Sequence, residues 1–265
     1  MFIFVPPSEG KAPPGDAQPV ISGSLVLPQL TPVRERVAAA LAQLCAGPAQ
    51  PALAALGLSE GQRGELSRNR ALATAPAAPA ADVYRGVLYE ALDLPGLRTS
   101  DPAAFRRAQE SIIVFSGLWG VLRPQDRIPY YRCSAAARLP GLGPVATVWR
   151  QALDEPLAEL LAEELVIDLR STAYAGMWRP RGLAAARRAV TVRVVHERMV
   201  GGVLKRSVVS HWNKATKGRL VRALLISGAE PKTPEEFADS LRNLGFRIET
   251  AGGGANTFDV VVTEI

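Results

Sequence analysis

Cysteine, histidine and the common cofactor signatures are scarce in this chain of 265 residues. Two cysteines, Cys45 and Cys133, cannot build a disulfide framework, and neither sits in a CxxC pattern. They read as reduced, buried thiols, with peroxide sensing by either as the lesser reading. His196 and His211 are the only histidines, so a histidine-rich metal site is excluded. No GxGxxG, Walker loop or HExxH occurs, and no cofactor and no metal are expected. No apolar run approaches the ~20 residues that span a bilayer. The opening MFIFVPPSEGK carries no basic leader, and its apolar stretch is too short for a signal peptide. A cytoplasmic protein without membrane contact is expected.

What is present is a globular composition, 48% hydrophobic and 21% charged, long enough for a substantial core. Its charge is unevenly written. Residues 170–222 hold thirteen Lys or Arg and one acid, Glu197, a net +12 that leaves −6 for the rest of a chain at +6. A one-signed segment of this kind is the electrostatic footprint of a polyanion site. An abundance of arginine without a partner is the alternative, and the acidic remainder argues against it.

Strand and helix patterns interleave irregularly along the chain. MFIFV and SIIVFSGLWGVL read as buried strands, the second breaking at Gly117 and Gly120. TPVRERVAAALAQLCAG predicts a helix with Thr31 as N-cap and Pro32 at the first position. DVYRGVLYEAL and SDPAAFRRAQE predict helices, Asp101 capping the latter, and PVATVWRQALDEPLAELLAEE a helix interrupted at Pro156. TAPAAPAAD reads as a loop. LVIDL, AVTVRVVHERM, LKRSVVS, FRIET and TFDVVVTEI predict strands, with a hairpin at Gly201-Gly202. Helices are expected from His211 and from Pro234 to Asn243. The fold class is α+β (mixed α/β), a single domain spanning 1–265 with a mixed sheet flanked by helices, rather than a doubly wound sheet.

Two stretches carry candidate chemistry. In SHWNKATKGRLVRALL, His211, Lys214, Ala215, Gly218, Arg219 and Arg222 share one helical stripe, and Trp212, Leu220, Ala223 and Leu224 are expected to face the core. Ser210 is placed to cap it. Glycine inside a helix costs about 1 kcal/mol relative to alanine, so Gly218 reads as making room for another backbone among basic side chains. FSGLWGVLRPQDRIPYYR offers Arg123, Asp126, Arg127, Tyr130, Tyr131 and Arg132 after a buried strand, where guanidinium groups suit phosphate or carboxylate. Pairing of Arg123 with Asp126 at the turn is the structural alternative. LPGLGPVATVWRQAL has the look of a helix-hairpin-helix turn, with Gly141 and Gly143 opening backbone N–H groups to a phosphate, and it reads equally as a plain turn.

SGLWGVLRPQD with Tyr131-Arg132, DVYRG, IDLRSTAY, SHWNKATKGRLVR and PPSEGK together resemble the YaaA family of peroxide-stress proteins over nearly the whole chain. The resemblance implies a cytoplasmic protein that limits oxidative damage and intracellular free iron, a mixed α/β fold with a positively charged cleft, and binding to double-stranded DNA with a helix-hairpin-helix element. The family pattern falls on Lys11, Tyr84, Ser116, Arg123, Asp126, Tyr131, Arg132, Ser171, Tyr174, Lys214, Lys217, Gly218 and Arg222. Relatives often carry an acid shortly after the YR, where this chain reads CSAAA, and a lysine in place of Ala215.

The leading expectation is a protein that binds the phosphate backbone of double-stranded DNA without reading sequence, through Lys11, Arg123, Arg132, His211, Lys214, Lys217, Gly218, Arg219 and Arg222. The alternative is an enzyme acting on a nucleotide or other small anionic metabolite in the same cationic pocket. Its candidate catalytic residues are Lys214, Asp126, Tyr131, Ser171 and Tyr174, whose types orient ligands and move protons. Direct iron binding is disfavoured for want of clustered oxygen ligands.

Overall fold

Segments apolar on both faces occupy the centre of the molecule, as parallel strands covered on two sides require. FIFV forms β1 (Phe2–Val5), IIVFS forms β2 (Ile112–Ser116), and both are wholly buried. The computed structural model describes residues 1–13, 15, 18–200, 203–207, 210–251 and 256–263, without the side chains of residues 200, 203, 204, 210 and 211. The hairpin turn expected at Gly201-Gly202 and the capping side chain of Ser210 therefore lie outside the described residues.

The remaining strands of the main sheet are β3 (Gly120–Leu122), β4 (Val166–Asp168), β5 (Ala189–Val200), β6 (Val203–Ser207), β7 (Arg247–Thr250) and β8 (Thr257–Thr263). Among the described residues these eight run in the order β7-β8-β5-β4-β1-β2-β3, with β6 paired to β5. Strands β2, β1, β4, β5 and β8 are mutually parallel, and antiparallel β3, β6 and β7 complete the sheet. The fold is thus the mixed α/β arrangement expected, but its centre is more regular than the interleaving implied. From β1 the chain places its next parallel strand, β2, on one side and the following one, β4, on the other. The crossovers that do this contain several helices each, which hides the alternation in the sequence.

The principal helices are α1 (Thr31–Ala46), α2 (Val87–Leu92), α3 (Pro102–Ser111), α4 (Val145–Ala152), α5 (Ser210–Ser227) and α6 (Pro234–Asn243). Asp101 caps α3 through the Ala104 N–H, as expected, and Thr233 caps α6 through that of Glu236. Thr31 does not cap α1. The helix begins one residue earlier, leaving Leu30 as the cap and the Thr31 hydroxyl buried with no partner among the described residues. DVYRGVLYEAL is broken at Gly86, and part of TAPAAPAAD is a strand, Ala77–Pro79, paired with Arg127–Pro129.

The SGLWG stretch is a tight β2–β3 turn. Gly120 has φ +75, and a Cβ there would stand 2.6 Å from the Trp149 ring, while the Trp149 indole donates to the Gly117 carbonyl at 2.9 Å. This stretch is therefore a packing device that seats α4 on the sheet. LPGLGP is not a helix-hairpin-helix. Gly141 (φ +70) and Gly143 (φ +77) turn the chain between two paired strands, Arg138–Leu139 and Gly143–Pro144, and no helix precedes the turn.

Candidate functional site

Strands β1, β2 and β4 all end at one edge of the sheet, and the segments leaving them converge there. Beyond β1 the chain runs through Pro6–Lys11, which is tied down over its length. Tyr89 donates to the Pro6 carbonyl at 2.8 Å, Ser8 donates to the Arg85 carbonyl, and the Arg85 N–H donates to Gly10 at 2.9 Å. Lys11 then bridges Tyr84 in antiparallel fashion. Arg132 grips Glu9 twice, at its backbone carbonyl (3.1 Å) and its carboxylate (3.0 Å). Beyond β4 come Ser171 and Tyr174, and α5 supplies Lys214. Together with Pro6–Gly10 and Gly86–Tyr89 these line a cleft of about 380 Å³. A cleft at the carboxyl ends of parallel strands, where successive strands diverge to opposite sides of β1, is where open α/β sheets take ligands.

Behind the segment lies a buried cluster of hydroxyls. Tyr131 contacts both Ser116 and Tyr84 at 2.7 Å, and Ser116 accepts from the Trp119 N–H at 3.0 Å. The Lys11 ammonium sits 4.3 Å from the Tyr131 ring centre and donates to the Ser8 carbonyl at 2.7 Å. Burial lowers the Lys11 ammonium to about 8, against the upward pull of Glu9. Burial likewise raises the Tyr84, Tyr131 and Tyr174 phenols. Lys11, Tyr84, Ser116, Tyr131, Arg132, Ser171, Tyr174 and Lys214 are therefore drawn to one region. Glu9 and Tyr89, which the sequence reading passed over, belong with them.

Other predicted residues are placed elsewhere. Arg123 donates to the Gln109 and Glu110 carbonyls at the end of α3, and Asp126 accepts from the Val26 and Arg123 N–H groups, so both hold a loop rather than line the cleft. They do not pair through their side chains. Gly218 is buried against α2, where a Cβ would run into the Leu88 carbonyl and stand 2.8 Å from the Ala91 Cβ. The backbone it admits belongs to this chain. Arg222 donates to the carbonyls of Leu92 (2.9 Å) and Asp93 (3.0 Å), closing the end of α2, and Lys217 donates to Leu169 at 3.0 Å. Burial lowers the Lys217 ammonium. Lys214 and Arg219 are exposed, and the side chain of His211 lies outside the described residues. Leu220 and Leu224 face the core as expected, while Trp212 is 50% exposed.

Much of the positive charge in residues 170–222 is neutralised by acids from elsewhere. Arg170 pairs with Asp168, Arg181 with Asp154, Arg188 with Glu163, Arg193 with Asp259 and Arg222 with Asp93. Arg206 and Arg247 share Glu197 and Glu249. Among the described residues Arg179, Arg187, Arg198, Lys205, Lys214 and Arg219 form no ion pair. Cys45 and Cys133 are both free and buried, and burial pushes the Cys133 thiol up to about 12, far from the thiolate that reacts with peroxide. Among the described residues no three His, Cys, Asp or Glu side chains are grouped to hold a metal ion, and no helix is long and apolar enough to cross a membrane.

The model of the family described as peroxide stress protein YaaA matches residues 1–251. The chain belongs to this family. A UPF0246 protein of Streptomyces coelicolor is 51% identical over 269 residues, covering all of both chains. UPF0246 proteins of Corynebacterium efficiens and Corynebacterium glutamicum strain R are 40% and 37% identical over 266 residues, covering 99% of this chain and all of theirs. Membership in the YaaA family supports a role in peroxide stress, and the stretches that carried the resemblance fall largely around the cleft.

Proposed function

We propose that this YaaA-family chain limits oxidative damage by binding the phosphate backbone of double-stranded DNA, with any effect on free iron following indirectly. The observation that supports this reading is the surplus of unpaired cations. Beside six arginines matched by acids and Lys217, which is tied to a carbonyl, Arg179, Arg187, Arg198, Lys205, Lys214 and Arg219 find no acid among the described residues. The interface is smaller than the sequence suggested, because Arg123, Lys217, Gly218 and Arg222 are committed to the fold. Phosphate contacts fix position without reading bases, so the preference is for duplex shape or damage.

The test is fluorescence anisotropy of a labelled duplex across salt concentrations, with wild type and a Lys214→Ala, Arg219→Ala variant. Arg222 is unsuitable because its loss frays α2. Engagement of about six phosphates gives a log–log salt slope near −5, and the double variant flattens it by about 2. A wild-type slope shallower than about −2, or one the variant leaves unchanged, overturns the reading. In that case an enzyme acting on a nucleotide-sized anion becomes the working description, since the cleft where β2 and β4 diverge from β1 is placed as a ligand pocket. Nucleotides would then be screened against Lys214→Ala.

A further inference from the structure

Five of the chain's 31 basic residues are lysine, and the others are arginine. Where the fold buries a cation for architecture, it uses arginine, apart from Lys217, which donates to the Leu169 carbonyl. Arg34 is fully buried and donates to the carbonyls of Val26, Leu27, Trp119 and Val121. Arg170 lies between the Phe4 and Phe115 rings and holds Asp168 with two nitrogens. Arginine keeps its charge under all ordinary conditions, whereas a lysine removed from water can shed its proton and act as a nucleophile. Lys11 departs from the pattern as well, packed over an aromatic ring. Among the described residues no carboxylate lies within ion-pair distance of it, its one hydrogen bond goes to the Ser8 carbonyl, and an aromatic ring covers it. It also lines a second cavity, of about 560 Å³, together with Arg68, Thr74, Tyr130 and small apolar residues. The Arg68 guanidinium lies 4.4 Å over the Tyr130 ring in that wall.

We infer that Lys11 is the nucleophile of a carbonyl-binding site, where its free amine condenses with an aldehyde to form an imine. The nitrogen lone pair adds to the carbonyl carbon, and the π pair moves onto oxygen, which takes up a proton. The resulting carbinolamine loses its oxygen as water, which carries away the two protons of the amine, and the C=N bond forms. Amine and aldehyde become imine and water, with no change of oxidation state and no further reactant. The cavity has room for an aldehyde the size of a small sugar phosphate, with Arg68 in the wall for an anionic end. Two sources share this chemistry: a free aldehyde, and the ring-opened sugar at an abasic site in DNA. The inference is independent of the phosphate-backbone reading, because it concerns a different cavity and a covalent step.

The test is reductive trapping followed by peptide mass mapping, which five lysines make unambiguous. Wild-type protein is treated near neutral pH with glyceraldehyde 3-phosphate and cyanoborohydride, and separately with a duplex containing one abasic site and borohydride. Lys11 is expected to be labelled about tenfold faster than the surface residues Lys205 and Lys232, because a far larger share of it is unprotonated. Lys11→Arg, which keeps the charge and cannot form an imine, removes the label. Labelling by the free aldehyde without a duplex cross-link identifies a small-molecule source, and a cross-link at Lys11 identifies the DNA source. Labelling of Lys11 no faster than Lys205 and Lys232 in both arms overturns the inference, and because that result is read on wild type, no failure of a variant to fold can mimic it.

Discussion

Lys11 and Arg34 are both cations taken out of water, and their surroundings differ in kind. Arg34 is ringed by carbonyls that replace its hydration, whereas Lys11 has a single carbonyl and a ring face. The consequence is a pH dependence that belongs to one residue. Folding lowers the Lys11 ammonium from 10.5 to about 8. Between those values the unfolded chain holds a proton that the folded chain has lost, so stability rises with pH through this window. Below it both forms are protonated and the full cost of burial, roughly 3 kcal/mol, is present. Lys11→Met should therefore be more stable than wild type at neutral pH, and the difference should shrink towards pH ~10. Chemical denaturation at both ends of the range checks this, and an unchanging difference would count against a strained Lys11. Tyr131, Ser116, Ser171, Tyr174 and Lys214 were legible as candidates because they stand in long, specific stretches. Glu9 and Tyr89 were not, because their roles exist only once Pro6–Lys11 has folded back on the segment before α2.

At the scale of elements, the contact between α5 and α2 explains most of what the helical wheel misplaced. A stripe of His, Lys, Gly and Arg looks like a surface, yet Gly218 and Arg222 on that stripe are where α2 docks, the one by its lack of a side chain and the other by closing the end of α2. Gly218→Ala must push α2 away from α5, since the new methyl meets backbone atoms that cannot rotate aside. A loss of roughly 1–3 kcal/mol is expected from such overpacking, measured as a shifted denaturation midpoint with the salt slope of DNA binding unchanged. A neutral Gly218→Ala would show that the helices are not in close contact. Elements were read well where periodicity and cap agree, as in α3, whereas α1 was found by its period although Thr31 is not its cap. The helix-hairpin-helix was misread because its glycines serve strand and helix turns equally, and only the preceding element tells them apart.

Across the whole molecule, the +12 of residues 170–222 is a property of the sequence more than of the surface. Acids as distant as Asp93 and Asp259 return to neutralise it, and no local count can anticipate pairs formed across more than sixty residues. The divergence of β2 and β4 from β1 was similarly hidden, since it depends on strand order rather than on any motif. The four tryptophans divide by the same logic. Trp119, Trp149 and Trp178 are buried in the core, and Trp212 alone stands half in water, on the helix that presents Lys214. The molecule thus has an optical readout built into its candidate binding helix. A soluble quencher such as acrylamide should reach a single emitter of four in the native state. A duplex settling on Lys214 should shield that emitter and shift its spectrum, while the other three stay dark to the event.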